Sequence, residues 1–151
     1  MAGRSIRSRA PSASSPTVRK VMVANWGGNT APELFFRRSL FQSGLRYRQN
    51  TRPIASMRCK ADIVFRKQRV CVFVDGCFWH GCLKHFKCPK TNAAWWFEKI
   101  EANRIRDKRQ TEMLEKAGWT VIRIWEHDLS DKRISSITDR VRRAITSQKV
   151  R

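Results

Sequence analysis

The segment DIVFRKQRVCVFV, residues 62–74, decides the fold that this chain can adopt. Two runs rich in β-branched and aromatic residues, Asp62 to Phe65 and Val70 to Val74, flank the polar turn RKQR, and this pattern predicts a β-hairpin. Both runs are almost continuously apolar, which is typical of central strands covered on both faces. The hairpin is therefore expected in the middle of a sheet that has helices packed against it.

Helical signals precede and follow this hairpin. A capping box at residues 30–33 predicts a helix from Ala31 to about Ser43. A long helix is expected from about Ala93 to Lys116, and WTVIRIW, residues 119–125, predicts a third strand. Apolar residues at helical spacing after residue 133 predict an amphipathic last helix. The order helix, strand, strand, helix, strand, helix describes one small α/β domain.

The charge of the chain points to a polyanionic partner. The 151 residues contain 32 Lys and Arg against 12 Asp and Glu, a formal net charge of +20. Nucleic acid is the usual partner of such an excess, although a ribosome-like or membrane-surface protein can have the same composition. Residues 1–29 carry no acidic residue and are expected to form a basic flexible arm ahead of a folded domain at residues 30–151. An organelle transit peptide is the alternative for this arm.

Apolar runs and cysteine number restrict the compartment. No apolar run approaches the roughly 20 residues that span a bilayer, and the N-terminus lacks the apolar core of a secretory signal. The chain is therefore expected to be soluble and intracellular, with no membrane partner. Five cysteines, an odd number, argue against a disulfide framework in such a compartment. Metal ligation or burial is left to explain them.

A cysteine-rich stretch, VFVDGCFWHGCLKHFKC at residues 72–88, follows the hairpin. Cys77 and Cys82 are followed by His85, and His127 comes directly after the last strand. Tetrahedral zinc takes four nitrogen or sulfur ligands, commonly from one tight loop and a distant element. These residues are therefore candidates for a structural zinc site, with Cys88 competing with His85 for one position.

Carboxylates and one histidine are candidates for hydrolytic chemistry. Asp62 and Val74 are expected at the same open end of the hairpin, where a carboxylate and a backbone carbonyl suit Mg²⁺. A solvated Asp at a strand end is the alternative. His80 is a candidate zinc ligand or a base that accepts the proton of an attacking water. Glu33 is explained by the capping box alone unless its helix faces the strand end.

Aromatic and polar side chains of the same region are candidates for DNA contact. Phe78 and Trp79 stand between the metal-ligand candidates, and a clamped loop that points them outward would insert them between bases. Burial in the core is the alternative. On the long helix, Lys99, Asn103 and Asp107 recur every four residues and are expected to share one polar face, directed at solvent or at phosphate.

These blocks resemble the Vsr very short patch repair endonucleases. The resemblance rests on FVDGCFWHGC, preceded by TAPE and GLRYR and followed by PKTN, WWFEKIEANRIRD and GWTVIRIWEHDL, and it runs from about Val18 to His127. It implies a restriction-endonuclease-like α/β domain with a central mixed sheet flanked by helices and a structural zinc site. It further implies a Mg²⁺-dependent enzyme that nicks DNA 5′ of the thymine in a T:G mismatch. Such mismatches arise by deamination of 5-methylcytosine.

The resemblance also implies catalytic roles. Asp62 would bind Mg²⁺ with the backbone carbonyl of Val74, and His80 would act on the water. Glu33 and Asp107 would orient the water or the metal shell. The family commonly has a proline directly before the catalytic aspartate, and this chain has Lys60-Ala61 there instead.

The remaining implied roles concern zinc, DNA and partners. Phe78, Trp79 and Trp96 would insert at the mismatch, with Lys99 and Asn103 nearby on the DNA. The protein would act as a monomer in the bacterial cytoplasm, associated with the nucleoid through DNA, and would be linked to a cytosine-5 DNA methyltransferase and to mismatch-repair proteins. Zinc would be held by four residues, Cys77, Cys82, His85 and His127.

Overall fold

The structure is a computed structural model that describes residues 11–13, 15–24 and 29–149. It has one four-stranded sheet, four α-helices and a short 3-10 helix after the last strand. The elements in chain order are α1 Pro16–Ala24, α2 Ala31–Gln42, β1 Arg48–Thr51, β2 Ala61–Phe65, β3 Val70–Asp75, α3 Ala93–Lys116, β4 Thr120–Trp125, the 3-10 helix Glu126–Asp128, and α4 Ile134–Lys149.

The sheet is mixed, with strands in the order β1-β2-β3-β4. β1 and β2 are antiparallel, β2 and β3 form the predicted antiparallel hairpin, and β4 runs parallel to β3. The parallel pairing places Phe73 opposite Arg123 and Asp75 opposite Trp125. A small α/β domain with a mixed sheet flanked by helices is thereby confirmed, and it is consistent with the restriction-endonuclease-like fold.

Each face of the sheet is covered. On one face, Phe36 and Leu40 of α2 and Val141 of α4 are fully buried against the strands. On the other face, Leu114 of α3 is fully buried with Cys71 of β3. Because both faces are buried, the two central strands carry apolar residues at almost every position, as the hairpin sequence predicted.

The predicted elements agree closely with the observed ones, except at β1 and at α1, which lies in the region expected to be a flexible arm. The short strand β1 pairs with β2 at the edge of the sheet, in a region expected to be a loop. Its four residues, RQNT, are all polar, so no apolar alternation marks it as a strand. Ala61, which stands directly before Asp62 where the resemblance led to the expectation of a proline, begins β2 and pairs with Thr51, so Asp62 lies in regular strand geometry.

The N-terminal region contains a helix. α1 begins at Pro16, and the Ser15 hydroxyl accepts a hydrogen bond from the Val18 N–H at 3.2 Å, as an N-cap residue does. α1 lies within the predicted arm, whose residues 1–10, 14 and 25–28 are outside the described part of the chain. The division at residue 29 remains a prediction. No helix within the described ranges is long and apolar enough to cross a membrane.

The capping box at the start of α2 forms in a modified way. The Thr30 side chain makes no capping hydrogen bond. The carboxylate of Glu33 instead reaches back beyond the N-cap and accepts a hydrogen bond from the Asn29 N–H at 2.8 Å. Glu33 is 8% exposed and also pairs with Arg37 one turn later, at 3.4 Å. The helix N-terminus therefore holds a buried acid close to the sheet.

Candidate functional site

The cysteine-rich loop, residues 76–92, connects β3 to α3 and begins as a tight turn. The His80 N–H donates to the Gly76 carbonyl at 3.1 Å, and the Cys82 N–H donates to the Cys77 carbonyl at 2.9 Å. The Cys77 N–H donates to Oε1 of Glu126 at 2.7 Å, which joins the loop to the end of β4. These bonds satisfy the backbone of a buried turn, so the following side chains have fixed directions.

Helix α3 holds the loop through a buried amide. Nδ2 of Asn103 donates to the Trp79 carbonyl at 2.9 Å, and Asn103 is only 7% exposed. In this structure the side chain of Asn103 is committed to the loop backbone and is not on the surface of α3, so its contact with DNA stays a prediction that the geometry does not favour. Lys99 is exposed, whereas Asn103 is buried and Asp107 is half-buried. These three residues therefore do not form the single polar face that was predicted for α3.

Gly81 allows the loop to approach α3 closely. Its φ is +62°, in the left-handed region that favours glycine, and a Cβ there would lie 2.6 Å from Cγ2 of Ile100. Nη2 of Arg104 donates a hydrogen bond to the Gly81 carbonyl. The loop therefore contacts α3 on two successive turns, by close packing at Ile100 and by a hydrogen bond from Arg104.

Four side chains converge with the geometry of a zinc site. The Sγ of Cys77 lies 3.1 Å from Nδ1 of His127 and 3.8 Å from Nδ1 of His85. The Sγ of Cys82 lies 3.7 Å from each of these nitrogens. A tetrahedral zinc ion with its usual bond lengths sets its ligand atoms about 3.3–3.8 Å apart. The spacing therefore fits zinc, and the four residues are those predicted from the sequence.

The other cysteines lie outside this cluster. Cys88 is exposed, and its Sγ donates to the Ala93 carbonyl at 3.6 Å, so the geometry favours His85 in the position for which the two competed. Cys59 and Cys71 are buried in the core on the α3 side of the sheet. Burial raises the pKa of the Cys71 thiol to about 12, as expected for an inert core residue.

His80 and Asp107 form a hydrogen-bonded pair. Nδ1 of His80 is bonded to Oδ2 of Asp107, which α3 presents from the turn after Asn103. Burial raises the pKa of Asp107, but the hydrogen bond from His80 and the charges of His80, Arg123 and Arg106 outweigh it and hold the pKa below its usual range. An acid bonded to Nδ1 fixes the tautomer and leaves Nε2 as the proton acceptor. The two residues predicted for catalysis are therefore brought together.

Two residues that the sequence predictions did not assign complete this arrangement. Nε and Nη2 of Arg123 bind both oxygens of Asp75, at 2.8 and 2.7 Å, and Oδ1 of Asp75 lies 3.6 Å from Nδ1 of His80. Asp75, which ends β3, was not among the residues to which the sequence assigned a role. The available signal was Arg123 itself, because a charged residue inside an apolar strand needs a buried partner.

Asp62 and Val74 are adjacent, as predicted for the open end of the hairpin. The Val74 N–H donates to Oδ2 of Asp62 at 2.7 Å. Burial raises the pKa of Asp62 to about 6, the charges of Glu33 and Asp75 add to the increase, and the Val74 bond and Arg37 oppose it. A half-buried carboxylate with two acidic neighbours suits a divalent cation. The positive charge of the cation would offset both the cost of burying the ionised carboxylate and its repulsion by the two neighbouring acids.

The aromatic candidates form one packed cluster. The ring of Phe78 contacts those of Trp79, Trp96 and Phe86, with centroids 5.2, 5.1 and 5.7 Å apart. Phe78 and Trp79 are partly exposed, whereas Trp96 is 7% exposed beneath them. Trp96 therefore supports the other two rings in this conformation and does not itself present a free face.

Comparison with known proteins identifies the family. A family model described as DNA mismatch endonuclease Vsr matches residues 14–87. The chain is 40% identical to a Lentzea aerocolonigenes protein named Type II nicking enzyme V.NaeI, over 78% of this chain and 72% of that protein. The chain belongs to the Vsr family. As a Vsr-family protein it is a DNA endonuclease, and DNA is its partner.

Two further relatives match different fractions of this chain. A Neisseria meningitidis protein named Type II nicking enzyme V.NmeAIP is 41% identical over 76% of this chain and 80% of that protein. The Escherichia coli K12 protein named DNA mismatch endonuclease Vsr is 40% identical over 48% of this chain and 47% of its own length. The family assignment confirms the resemblance that the loop motif carried.

Proposed function

We propose that the protein nicks DNA 5′ of the thymine in T:G mismatches that arise from deaminated 5-methylcytosine, in very short patch repair. The observation that carries the proposal is that one short turn contributes residues to a zinc-type cluster, to an exposed aromatic surface and to a hydrogen-bonded histidine–aspartate pair. Within four residues, Cys77 belongs to the zinc-type cluster, Phe78 and Trp79 form the partly exposed aromatic surface, and His80 is bonded to Asp107. One turn would thus set the distance between recognition and chemistry.

His80 is the proposed general base. Because Asp107 occupies Nδ1, Nε2 is the nitrogen that accepts a proton from the attacking water. The side chain of His80 is 21% exposed, so solvent reaches it. A positioned base of this kind contributes about 10²- to 10⁴-fold to the rate. Asp107 acts by fixing the ring, and it also stabilises the imidazolium that forms.

Asp62 and the backbone carbonyl of Val74 are the proposed ligands of Mg²⁺, with Glu33 orienting water beside them. When bound, Mg²⁺ would supply positive charge for the phosphate and the leaving oxygen. The support from the structure is the contact between Asp62 and Val74 and the acidic surroundings that raise the pKa of Asp62. Zinc, held by the loop cluster, is proposed to be structural.

Phe78 and Trp79 are the proposed wedge at the mismatch, and Trp96 supports them from below. Inserting aromatic side chains costs unstacking, and a poorly paired T:G step resists least. Lys99, which is exposed on α3, is proposed to contact phosphate. The protein is further proposed to act as a cytoplasmic monomer on the nucleoid, in connection with a cytosine-5 methyltransferase and mismatch-repair proteins.

A strand-resolved nicking assay tests this proposal. Zinc-loaded protein is incubated with T:G and matched T:A duplexes that embed the pair in recognition sites of cytosine-5 methyltransferases, with each strand labelled separately. The expected result is a single nick 5′ of the thymine of T:G, dependent on added Mg²⁺. Omission of Mg²⁺ is a better control than a strong chelator, because a chelator also strips zinc and unfolds the loop.

Two other outcomes identify the alternatives. Equal cleavage of T:G and T:A duplexes would indicate a restriction-type nuclease without mismatch preference. Binding without any cleavage, unchanged in Asp62→Ala, would indicate a zinc-stabilised protein that only binds DNA. Nicking enzyme names among the relatives support cleavage of one strand.

A further inference from the structure

We propose that Arg123 is a positioning residue for the reaction: by binding Asp75, it keeps that carboxylate away from His80 and leaves Asp107 as the sole partner of the base. The inference rests on the proposed role of His80 as the proton acceptor. It assigns functions to Arg123 and Asp75, which lie 48 positions apart and meet through the sheet.

Two carboxylates compete for one nitrogen. Oδ2 of Asp107 is bonded to Nδ1 of His80, and Oδ1 of Asp75 lies 3.6 Å from the same Nδ1. Two acids so close to one imidazole repel each other, and either can serve as the hydrogen-bond acceptor. The direction of the ring, and so the position of Nε2, depends on which acid is bonded.

The guanidinium of Arg123 decides this competition. Its Nη2 lies 2.7 Å from Oδ1 of Asp75, the oxygen nearest His80, and 3.5 Å from Oδ2 of Asp107, the oxygen that His80 uses. Nε completes a two-point bond with Asp75, which fixes the plane of that carboxylate. A single cation therefore neutralises both acids while restraining only one of them.

Besides its contacts with Asp75 and Asp107, the guanidinium of Arg123 has two further contacts. Its Cζ lies over the ring of Phe73, 4.7 Å from the centroid, and Nη1 contacts Oγ1 of Thr111 on α3 at 3.4 Å. The parallel pairing of β3 and β4 places Phe73 directly opposite Arg123. Such restraint is more than an ion pair alone requires, and it suits a group whose task is to hold another in place.

The guanidinium supplies these acids with a positive charge that a metal ion could otherwise provide. Asp75, His80 and Asp107 are close enough to bind a cation together. Arg123 already contacts Asp75 through two nitrogens and lies beside Asp107, so it provides the positive charge that such a cluster requires. Asp75 therefore borders two sites, because its charge also contributes to the raised pKa of Asp62.

The test uses four variants of the zinc-loaded protein, and a fifth, His80→Gln, serves only to assign the NMR signal. Arg123→Met removes the cation, and Arg123→Lys keeps the charge but loses the two-point geometry. Asp75→Asn combined with Arg123→Met removes both the restraint and the competing charge. Arg142→Met is the matched control, because Arg142 is an exposed arginine paired with Asp139 at 2.8 Å on α4 and its loss changes net charge equally.

The first readout needs no DNA. A proton on Nδ1 that is bonded to a carboxylate gives a low-field ¹H NMR signal, and the chain has only three histidines, so loss of the signal in His80→Gln assigns it. The signal is expected to be single in the wild type and in Arg142→Met. In Arg123→Met it should shift or broaden as the two acids compete, and in the double variant with Asp75→Asn it should return.

The second readout is the single-turnover nicking rate beside the Kd for DNA. Arg123→Met is expected to lower the rate by about 10²-fold, the effect of a small misplacement of a catalytic group, with a Kd no weaker than that of Arg142→Met. Arg123→Lys should fall between the wild type and Arg123→Met. Asp75→Asn should restore most of the rate to the Arg123→Met protein, because the competing charge is gone.

Either of two results overturns the inference. One is an unchanged NMR signal and nicking rate in Arg123→Met. The other is a parallel loss of thermal stability, zinc and DNA affinity that Asp75→Asn does not reverse, since that describes a purely structural arginine. If the wild type nicked no duplex, the proposed function would fall, and the NMR signal would still decide whether Arg123 determines the partner of His80.

Discussion

Nδ1 of His80, in the cysteine-rich loop, is hydrogen-bonded to Oδ2 of Asp107, a residue of α3 that stands 27 positions later in the chain. The loop carries the proposed base, and the helix carries the acid bonded to it. Asn103, one turn before Asp107, bonds the Trp79 carbonyl, so the same helix also fixes the backbone that carries His80. The geometry of the proposed catalytic pair therefore depends on the contact between the loop and α3.

Asp107→Asn is expected to lower nicking by about 10²- to 10⁴-fold while DNA affinity stays nearly unchanged. The amide keeps the shape of the side chain, but it lets the imidazole adopt the other tautomer, in which Nε2 carries the proton. Single-turnover rates and Kd values measured on one T:G duplex check this. A loss of affinity equal to the loss of rate would contradict a role confined to orienting His80.

Cys77→Ser is expected to lose bound zinc and thermal stability together, because zinc would join the loop to His127 beyond β4 and its binding energy would contribute to folding. Cys88→Ser is the control and should retain both, since its side chain is exposed and outside the ligand cluster. Elemental analysis and thermal unfolding of the two variants measure the outcome. Zinc loss in Cys88→Ser would reassign the ligand set.

Asp62→Asn is expected to abolish nicking and yet to raise the Tm of zinc-loaded protein without Mg²⁺ at pH 8. Burial raises the pKa of Asp62 to about 6, so the ionised form destabilises the folded state. This destabilisation is absent below pH about 4, the ordinary pKa of Asp, and complete above about 6. The Tm difference between wild type and Asp62→Asn should therefore grow over that window and then stay constant.

Added Mg²⁺ provides the complementary test. It should raise the Tm of the wild type at pH 8 and leave that of Asp62→Asn nearly unchanged, because the variant lacks the negative charge that attracts the cation. An equal response in both proteins would place the Mg²⁺ site elsewhere.

Trp79→Ala is expected to weaken binding to a T:G duplex by about 1–3 kcal/mol, the usual range for losing one base-stacking aromatic. Binding to matched duplex, which depends mainly on charge, should change much less. Phe41→Ala is the matched control, because Phe41 is 58% exposed on α2 and outside the aromatic cluster. Fluorescence anisotropy with both duplexes measures the difference. Equal losses on the two duplexes would count against a wedge.

Strong local patterns made most of the fold predictable. The alternation of apolar runs and a polar turn placed β2 and β3, and α3 was predicted with its observed ends, Ala93 and Lys116. The polar strand β1 was missed because its pairing with β2 is made by backbone groups, which leave no trace in side-chain pattern.

The site residues could be predicted where their side-chain chemistry is specific. They could not be predicted where their contacts depend on the register between two strands. The cysteines and histidines of the zinc-type cluster can do few other things together, and the family resemblance added His80 and Asp107. Asn103 was expected on the surface of α3 because a polar residue on a helix is usually solvated, and here the loop backbone buries it. The Asp75–Arg123 pair follows only from the parallel alignment of β3 and β4.

The end of β3 limits how the length of this chain can vary in evolution. Within four residues Val74 contacts Asp62, Asp75 contacts Arg123, and Cys77 contacts His127. One residue gained or lost here would turn alternate side chains to the opposite face and separate all three pairs together. Residues 87–92 are mostly exposed and carry none of these contacts. Insertions and deletions that preserve activity are therefore expected in that part of the loop, after the last zinc-ligand candidate and before α3.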